Sequence, residues 1–290
     1  LAPLVLEVDV DVGRLVALGR DEPLEQERAS RRIDRGDAEQ LRRSLEAAGV
    51  AAAPCPGSAH HLVVEDAGAL FACTPFAAGE CFVQDANAAL AVALLAPPPG
   101  ARVLDLCSAP GGKTLQLALA VGSGGMVVAA DSARDRLDRV LANRQRLGVA
   151  GVCPLVQDAR RPGVRSDAWP WVLADVPCSG TGTVARHPDV RWRRQPGQLP
   201  SLARRQRQIL EAAFALTAPG GVLVYSTCSL EPEENDEVVE AFLAPEPAAI
   251  LEPAAGLFPD RPWADRFVQT LPGREPGDGS FAARIRKRAP

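Results

Sequence analysis

Apolar residues cluster into five short, nearly unbroken runs: Arg102–Leu106, Met126–Ala130, Val152–Val156, Trp171–Ala174 and Val222–Tyr225. Runs of this length without polar alternation predict parallel strands buried on both faces. Between and after them lie stretches with helical spacing, over Thr114–Val121, Ala133–Leu147, Leu202–Thr217 and Glu234–Leu243. Strands alternating with helices predict the α/β class and a doubly wound sheet. A ligand on such a sheet sits beyond the carboxyl ends of the strands.

The pattern changes at Ala96-Pro97-Pro98-Pro99-Gly100, a stiff, turn-rich break that divides the chain into residues 1–95 and 96–290. In the first part, Asp37 to Gly49 reads as an amphipathic helix. Asp37 is its expected N-cap, Leu41 and Leu45 share one face, and Gly49 stops it. His61–Glu65 and Ala69–Ala72 read as short strands. These elements predict a small α+β module.

Composition narrows the function. The chain has 290 residues, 47% hydrophobic and 23% charged, enough for a sizeable core and unlike a disordered segment. It holds no apolar run near the ~20 residues that span a bilayer, and its start lacks a signal-peptide layout. It begins at Leu1 rather than Met, as a trimmed or processed product would. The seven cysteines are odd in number and include no C-x-x-C pair, so neither a disulfide framework nor a zinc site is expected. Reduced thiols in a cytoplasmic enzyme without a metal fit this usage. A net charge of −4 excludes a general polyanion binder, so any nucleic-acid surface is a local patch.

The chemistry is expected at the strand ends. The first strand runs into Cys107-Ser108-Ala109-Pro110-Gly111-Gly112-Lys113, which imitates a phosphate loop but has Cys107 at the first glycine position. The residues leave two readings open here: an ordinary strand–helix turn, or a turn that lets a ligand approach the backbone. Asp131 ends the second strand, where it suits a ribose diol or a helix cap. Asp158 follows the third strand and Asp175 ends the fourth, giving three carboxylates around one crevice. Cys178 and Cys228 follow the fourth and fifth strands, so both thiols face that crevice. Lys113 is either part of the same pocket or a solvated residue at a helix N-terminus.

Three segments resemble the RNA cytosine-5 methyltransferase family of the Sun/Fmu type. Val103 to Thr114 is similar to its cofactor motif, Asp175-Val176-Pro177-Cys178-Ser179-Gly180-Thr181-Gly182 to its first cysteine motif, and Tyr225-Ser226-Thr227-Cys228-Ser229-Leu230 with Pro232-Glu233-Glu234-Asn235 to its second. Gly79–Asp85 resembles the segment leading into the catalytic domain. Asp278-Gly279-Ser280-Phe281 resembles the closing strand, with Ser280 where an aromatic is usual. Arg186–Arg194 is similar to the bacterial 16S ribosomal RNA members in particular. The resemblance covers roughly residues 75–290.

The resemblance implies a Rossmann-like methyltransferase sheet, S-adenosylmethionine as cofactor and ribosomal RNA as partner. It makes Cys228 the nucleophile that adds to carbon 6 of cytosine, and Cys178 the residue that serves product release. It implies that Asp175 bonds the base and Lys113 assists it. The turn Cys107, Ser108, Ala109, Pro110, Gly111, Gly112 and Lys113 is expected to hold the methionine portion, with Asp131 on the ribose, Asp158 on the adenine amino group, Asp175 facing the cofactor and Arg136 nearby. For RNA, Arg186, Arg191, Trp192, Arg193 and Arg194 combine phosphate neutralisation with a stacking surface, and Arg284, Arg286 and Lys287 form a second basic cluster. Rival readings are a transfer RNA methyltransferase, a DNA cytosine-5 methyltransferase whose nucleophile is the Pro-Cys cysteine, and a non-catalytic RNA-binding scaffold. Oligomeric state is not encoded legibly.

Overall fold

The computed structural model describes residues 15–19, 35–56, 58, 60–188, 190–193, 196–259, 261–275 and 277–289. The N-terminal part contains β1 (Leu15–Gly19), α1 (Arg35–Ala47), β2 (Ala52–Pro54), β3 (His61–Val64), α2 (Ala67–Ala72), α3 (Thr74–Ala77) and β4 (Cys81–Val83). Its strands form an antiparallel sheet in the order β2-β3-β1-β4. Leu41 and Leu45 of α1 pack with Leu62, Val64 and Leu70 in a small core. Helix α1 begins at Arg35, so Asp37 lies in its first turn and not at its cap. Gly49, at φ +80°, ends the helix as expected, and the Val50 amide donates to the Leu45 carbonyl at 2.8 Å.

Residues 69–72, expected as a strand, are helical. Asp66 caps α2 by accepting from the Ala69 amide at 2.8 Å, and Ala67 and Leu70 are buried at helical spacing. The cap and the i, i+3 burial outweigh the short apolar run that suggested a strand.

The remainder adds α4 (Leu90–Leu95), β5 (Arg102–Asp105), α5 (Gly112–Val121), β6 (Met126–Asp131), α6 (Arg134–Leu147), β7 (Val152–Val156) and β8 (Trp169–Asp175). Then follow α7 (Val190–Arg193), α8 (Leu199–Leu216), β9 (Thr217–Thr227), α9 (Asp236–Leu243), β10 (Ala249–Glu252), β11 (Val268–Thr270) and β12 (Ser280–Lys287). The large sheet runs β10-β12-β9-β8-β5-β6-β7, with β11 also paired to β12. Strands β5 to β9 pair in parallel; β10, β11 and β12 are antiparallel additions. All five expected strands are present in it.

Strand alternation divides the core into two layers. Val103, Leu173, Val222 and Val224 pack with α4, α5 and α6, whereas Leu104, Val172, Ala174, Leu223 and Tyr225 pack with α8 and α9. Burial on both faces explains why these strands read as continuous apolar runs. This is the doubly wound α/β sheet with a small N-terminal α+β module. Arg146 of α6 joins the two parts, donating to the Phe76 carbonyl at 2.6 Å and the Cys81 carbonyl at 2.9 Å.

Candidate active site

Five parallel strands end on one edge, and the turn after β5 lies at its centre. Leu106 donates its amide to the Leu173 carbonyl and Ser108 to Ala130, so the turn leans across β8 and β6. Thr114, from the first turn of α5, donates to Asp105 Oδ2 at 2.7 Å. Gly111 adopts φ +114°, and a Cβ there would stand 3.3 Å from Val140, so the turn needs glycine at this point. Asp131 accepts from the Ala109 amide at 3.3 Å and from the Ala133 amide at 3.1 Å. It therefore braces the turn and the start of α6 together. Arg136 donates to the Ala109 carbonyl at 3.0 Å and lies 3.6 Å from Asp131.

The two cysteines expected in the crevice meet. Cys178 Sγ and Cys228 Sγ are 2.9 Å apart, and the Cys228 amide lies 3.3 Å from Cys178 Sγ. Beside them Lys113 Nζ donates to Asp175 Oδ2 at 2.8 Å, while Ser226 donates to Asp175 Oδ1 at 2.7 Å. Lys113 is thus a pocket residue and not a solvated one. Burial alone would weaken its proton affinity, but the charge and hydrogen bond of Asp175 outweigh burial and hold it cationic. The Cys228 thiol is drawn below the usual cysteine range by the hydrogen bond from Cys178, with Lys113 helping against burial and Asp175. Cys178 is pushed up by the same hydrogen bond, by burial and by the charges of Cys228 and Glu234. The pair is therefore polarised, with Cys228 the more readily ionised sulfur.

Two cavities open on this edge. One, of about 280 Å³, is lined by Gln84, Asp85, Asp105, the 107–113 turn, Asp175, Arg186, Cys228 and Asp278. The other, of about 190 Å³, is lined by Asp131, Arg136, Asp158, Asp175, Cys178 and Cys228 among others. Cys107, Ala109, Asp175 and Cys228 face both, so the sulfur pair stands where the cavities adjoin. Asp158 reaches the second cavity already paired with Arg160 at 2.6 Å, which holds its carboxyl down at about 2.

The expected RNA residues do not all behave as a free basic patch. Arg186 forms an ion pair with Asp278 and lines the first cavity. Trp192, on α7, is 87% exposed and lines neither cavity. The side chains of Arg191 and Arg193, and the whole of Arg194, lie outside the described residues. The second basic cluster is a correction: Arg284 is buried and bound to Glu252 and to the Leu94 and Leu95 carbonyls. Arg286 pairs with Glu252, and Lys287 with Asp167. Glu252 of β10 thus engages Arg284 and Arg286 of the neighbouring β12.

Several site residues were not singled out by sequence reasoning. Asp105 is buried, and burial pushes its carboxyl up to about 7. Its Oδ1, with Gln84 Oε1 and Ser108 Oγ, is buried without a hydrogen-bond partner among the described residues. Asp105 stood inside the quoted first motif, and Gln84 inside Gly79–Asp85. Position at a strand end was the available signal for Asp105. Nothing in the spacing marks Gln84, Ser226 or Asp278.

The family described as 16S rRNA methyltransferase RsmB/F matches residues 92–286. Ribosomal RNA small subunit methyltransferase B of Salmonella arizonae is 40% identical over 246 residues, covering 84% of this chain. The chain spans 56% of that relative's length. Among solved structures, PH0851 superposes with a TM-score of 0.84 at 29% identity, over 97% of this chain and 61% of its own. NSun6 from Pyrococcus horikoshii, solved with SFG, gives 0.65 at 29% identity, over 75% and 56%.

Proposed function

The chain belongs to the 16S rRNA methyltransferase RsmB/F family, and on that premise we propose that it transfers a methyl group from S-adenosylmethionine to carbon 5 of a cytosine in ribosomal RNA through a covalent cysteine–cytosine intermediate. The cofactor, when bound, supplies an electrophilic methyl group on a sulfonium. The orphaned acceptors fit its amino-acid end: Asp105 Oδ1, Gln84 Oε1 and Ser108 Oγ line one wall, and an ammonium brings three N–H donors. The 107–113 turn holds the rest of the methionine portion through its backbone. Asp131, beside Arg136, takes the ribose hydroxyls in the second cavity. Asp158 serves the adenine amino group once Arg160 turns outward.

Carbon 5 of cytosine is too poor a nucleophile to attack a sulfonium methyl unaided. Addition of the Cys228 thiolate to carbon 6 forms a C–S bond and moves electron density through the ring to carbon 5. Asp175 accepts from the amino group of the base, and Lys113, held cationic by Asp175, donates toward the ring acceptors as charge gathers there. With the cofactor bound, attack by carbon 5 would form the new C–C bond as the methyl–sulfonium bond breaks, leaving a neutral thioether. A solvent base takes the proton from carbon 5, the C–S bond breaks, and Cys228 departs as a thiolate. We assign a part in this release step to Cys178, whose thiol stands against the Cys228 sulfur and donates a hydrogen bond to it as it departs. Splitting one hard step into two easier ones is the benefit of covalent catalysis. The target base has to be unstacked to reach the cavity, so a loop or partly assembled RNA is the expected substrate.

The observation that carries this reading is the 2.9 Å approach of Cys178 and Cys228 beside the Lys113–Asp175 pair. The test supplies a labelled methyl donor with unmethylated 16S ribosomal RNA, then digests the RNA to nucleosides. Label in 5-methylcytidine is the expected result. Label in any other nucleoside, or in transfer RNA alone, contradicts it.

A further inference from the structure

Glu234 follows the second cysteine motif and is fully buried. Among the described residues it forms no ion pair, yet both of its carboxylate oxygens accept hydrogen bonds. Oε1 accepts from the Ser179 amide at 2.8 Å and from Gln206 Nε2 at 2.7 Å. Oε2 accepts from the Ser229 hydroxyl at 2.5 Å and from the same Ser179 amide at 3.2 Å. These donors belong to three segments: the turn after Cys178, the turn after Cys228, and helix α8. The Ser179 and Ser229 hydroxyls also meet at 3.0 Å, and Gln206 donates to the Pro177 carbonyl at 3.0 Å. Tyr225, buried on β9, fixes the backbone of the hub by donating to the Glu234 carbonyl at 2.6 Å.

A buried anion without a counter-charge is costly, and a neutral residue would fill the space more cheaply. A carboxylate is suited to this place because it accepts on both oxygens and so ties several donors to one point. The residues it ties are the immediate neighbours of the two cysteines. We propose that Glu234 is the positioning residue of the thiol pair, holding the Ser179 and Ser229 turns so that Cys178 donates its proton toward the sulfur of Cys228. The proposal rests on the reading of Cys228 as nucleophile. Its consequence is that Cys228 ionises more readily than Cys178.

Two variants test it. Glu234→Gln keeps the shape but replaces one acceptor by an amide donor, which meets donors on either side. Ser229→Ala leaves the carboxylate in place and cuts its hold on the Cys228 turn. In each, alkylation of Cys228 by iodoacetamide is followed against pH by peptide-resolved mass spectrometry, without RNA. Methyl transfer kinetics and thermal melting are measured beside it. The alkylation midpoint of Cys228 rises by about one pH unit in Ser229→Ala, a roughly tenfold loss of thiolate below that midpoint. In Glu234→Gln, kcat falls about tenfold or more while KM for S-adenosylmethionine stays within about twofold, as loss of a transition-state arrangement requires. An unchanged Cys228 midpoint in folded Ser229→Ala, or an unchanged kcat in folded Glu234→Gln, overturns the proposal. If Glu234→Gln does not fold, Ser229→Ala decides. The alkylation readout needs no RNA, so loss of the covalent reading, seen as methyl transfer by Cys228→Ala, is told apart from loss of this one.

Discussion

The proposed function puts Asp105 at the amino-acid end of the cofactor, at a cost to the free protein. Its carboxyl is buried with one oxygen unpartnered, and burial lifts it from 3.8 to about 7. A carboxyl whose folded value lies above its unfolded value binds its proton more tightly when folded. Its contribution to stability is therefore fully present below about pH 4 and is lost as pH rises through 7. The shift sets an upper limit of about 4 kcal/mol on that loss. Asp105→Asn is expected to flatten the stability curve between pH 5 and 8, read by chemical denaturation without ligand. The same variant should weaken S-adenosylmethionine binding by calorimetry, because the ammonium group loses its anionic acceptor. Equal pH dependence in the two proteins contradicts this account. At this scale the sequence was informative about placement at strand ends: Asp131, Asp175, Cys178 and Cys228 all meet at the one edge where they were expected. Gln84 and Glu234 were illegible because their roles come from partners far along the chain, such as Gln116 and Ser179.

Elements were readable in proportion to how local their causes are. Parallel strands buried on both faces announced themselves as unbroken apolar runs. Helix α4 did not: Ala91, Val92, Leu94 and Leu95 are all buried, so no polar face marks its period. Strand β12 was marked at its start, by the resemblance of Asp278–Phe281 to a closing strand, but further along Arg284 and Arg286 read as a basic cluster for RNA. The turns between elements hold the site together through close backbone approach. Gly182 donates to the Cys228 carbonyl and accepts from the Gly279 amide, both at 2.9 Å. A Cβ at Gly182 would lie 2.8 Å from the Cys228 carbonyl oxygen and in collision with Gly279. Gly182→Ala should cost about 1–3 kcal/mol through overpacking. Turnover should drop at least about tenfold, because the shift falls on the Cys228 turn. Wild-type melting and wild-type turnover in this variant would show that the three segments are not coupled there.

At the scale of the molecule, the fold presents one working edge on a protein whose net charge is −4. On the proposed function, affinity for RNA would come from a restricted surface, and Trp192 is the exposed aromatic within the expected basic run. Trp192→Ala is expected to weaken RNA binding by about 1–3 kcal/mol, with the melting temperature unchanged. An unchanged Kd, measured by filter binding at fixed salt, would remove Trp192 from the RNA surface. Substituting Arg286 should do the reverse, lowering stability without altering RNA affinity, since its guanidinium is engaged by Glu252.

The central claim is that Cys228 bonds to the base and Cys178 releases it. The most direct measurement incubates wild type, Cys178→Ala and Cys228→Ala with labelled RNA and S-adenosylmethionine, then resolves the products on a denaturing gel. A stable protein–RNA complex in Cys178→Ala, absent in Cys228→Ala together with all methyl transfer, is the predicted result. A complex that forms in Cys228→Ala and disappears in Cys178→Ala would contradict the account and transfer the nucleophile's role to the other sulfur.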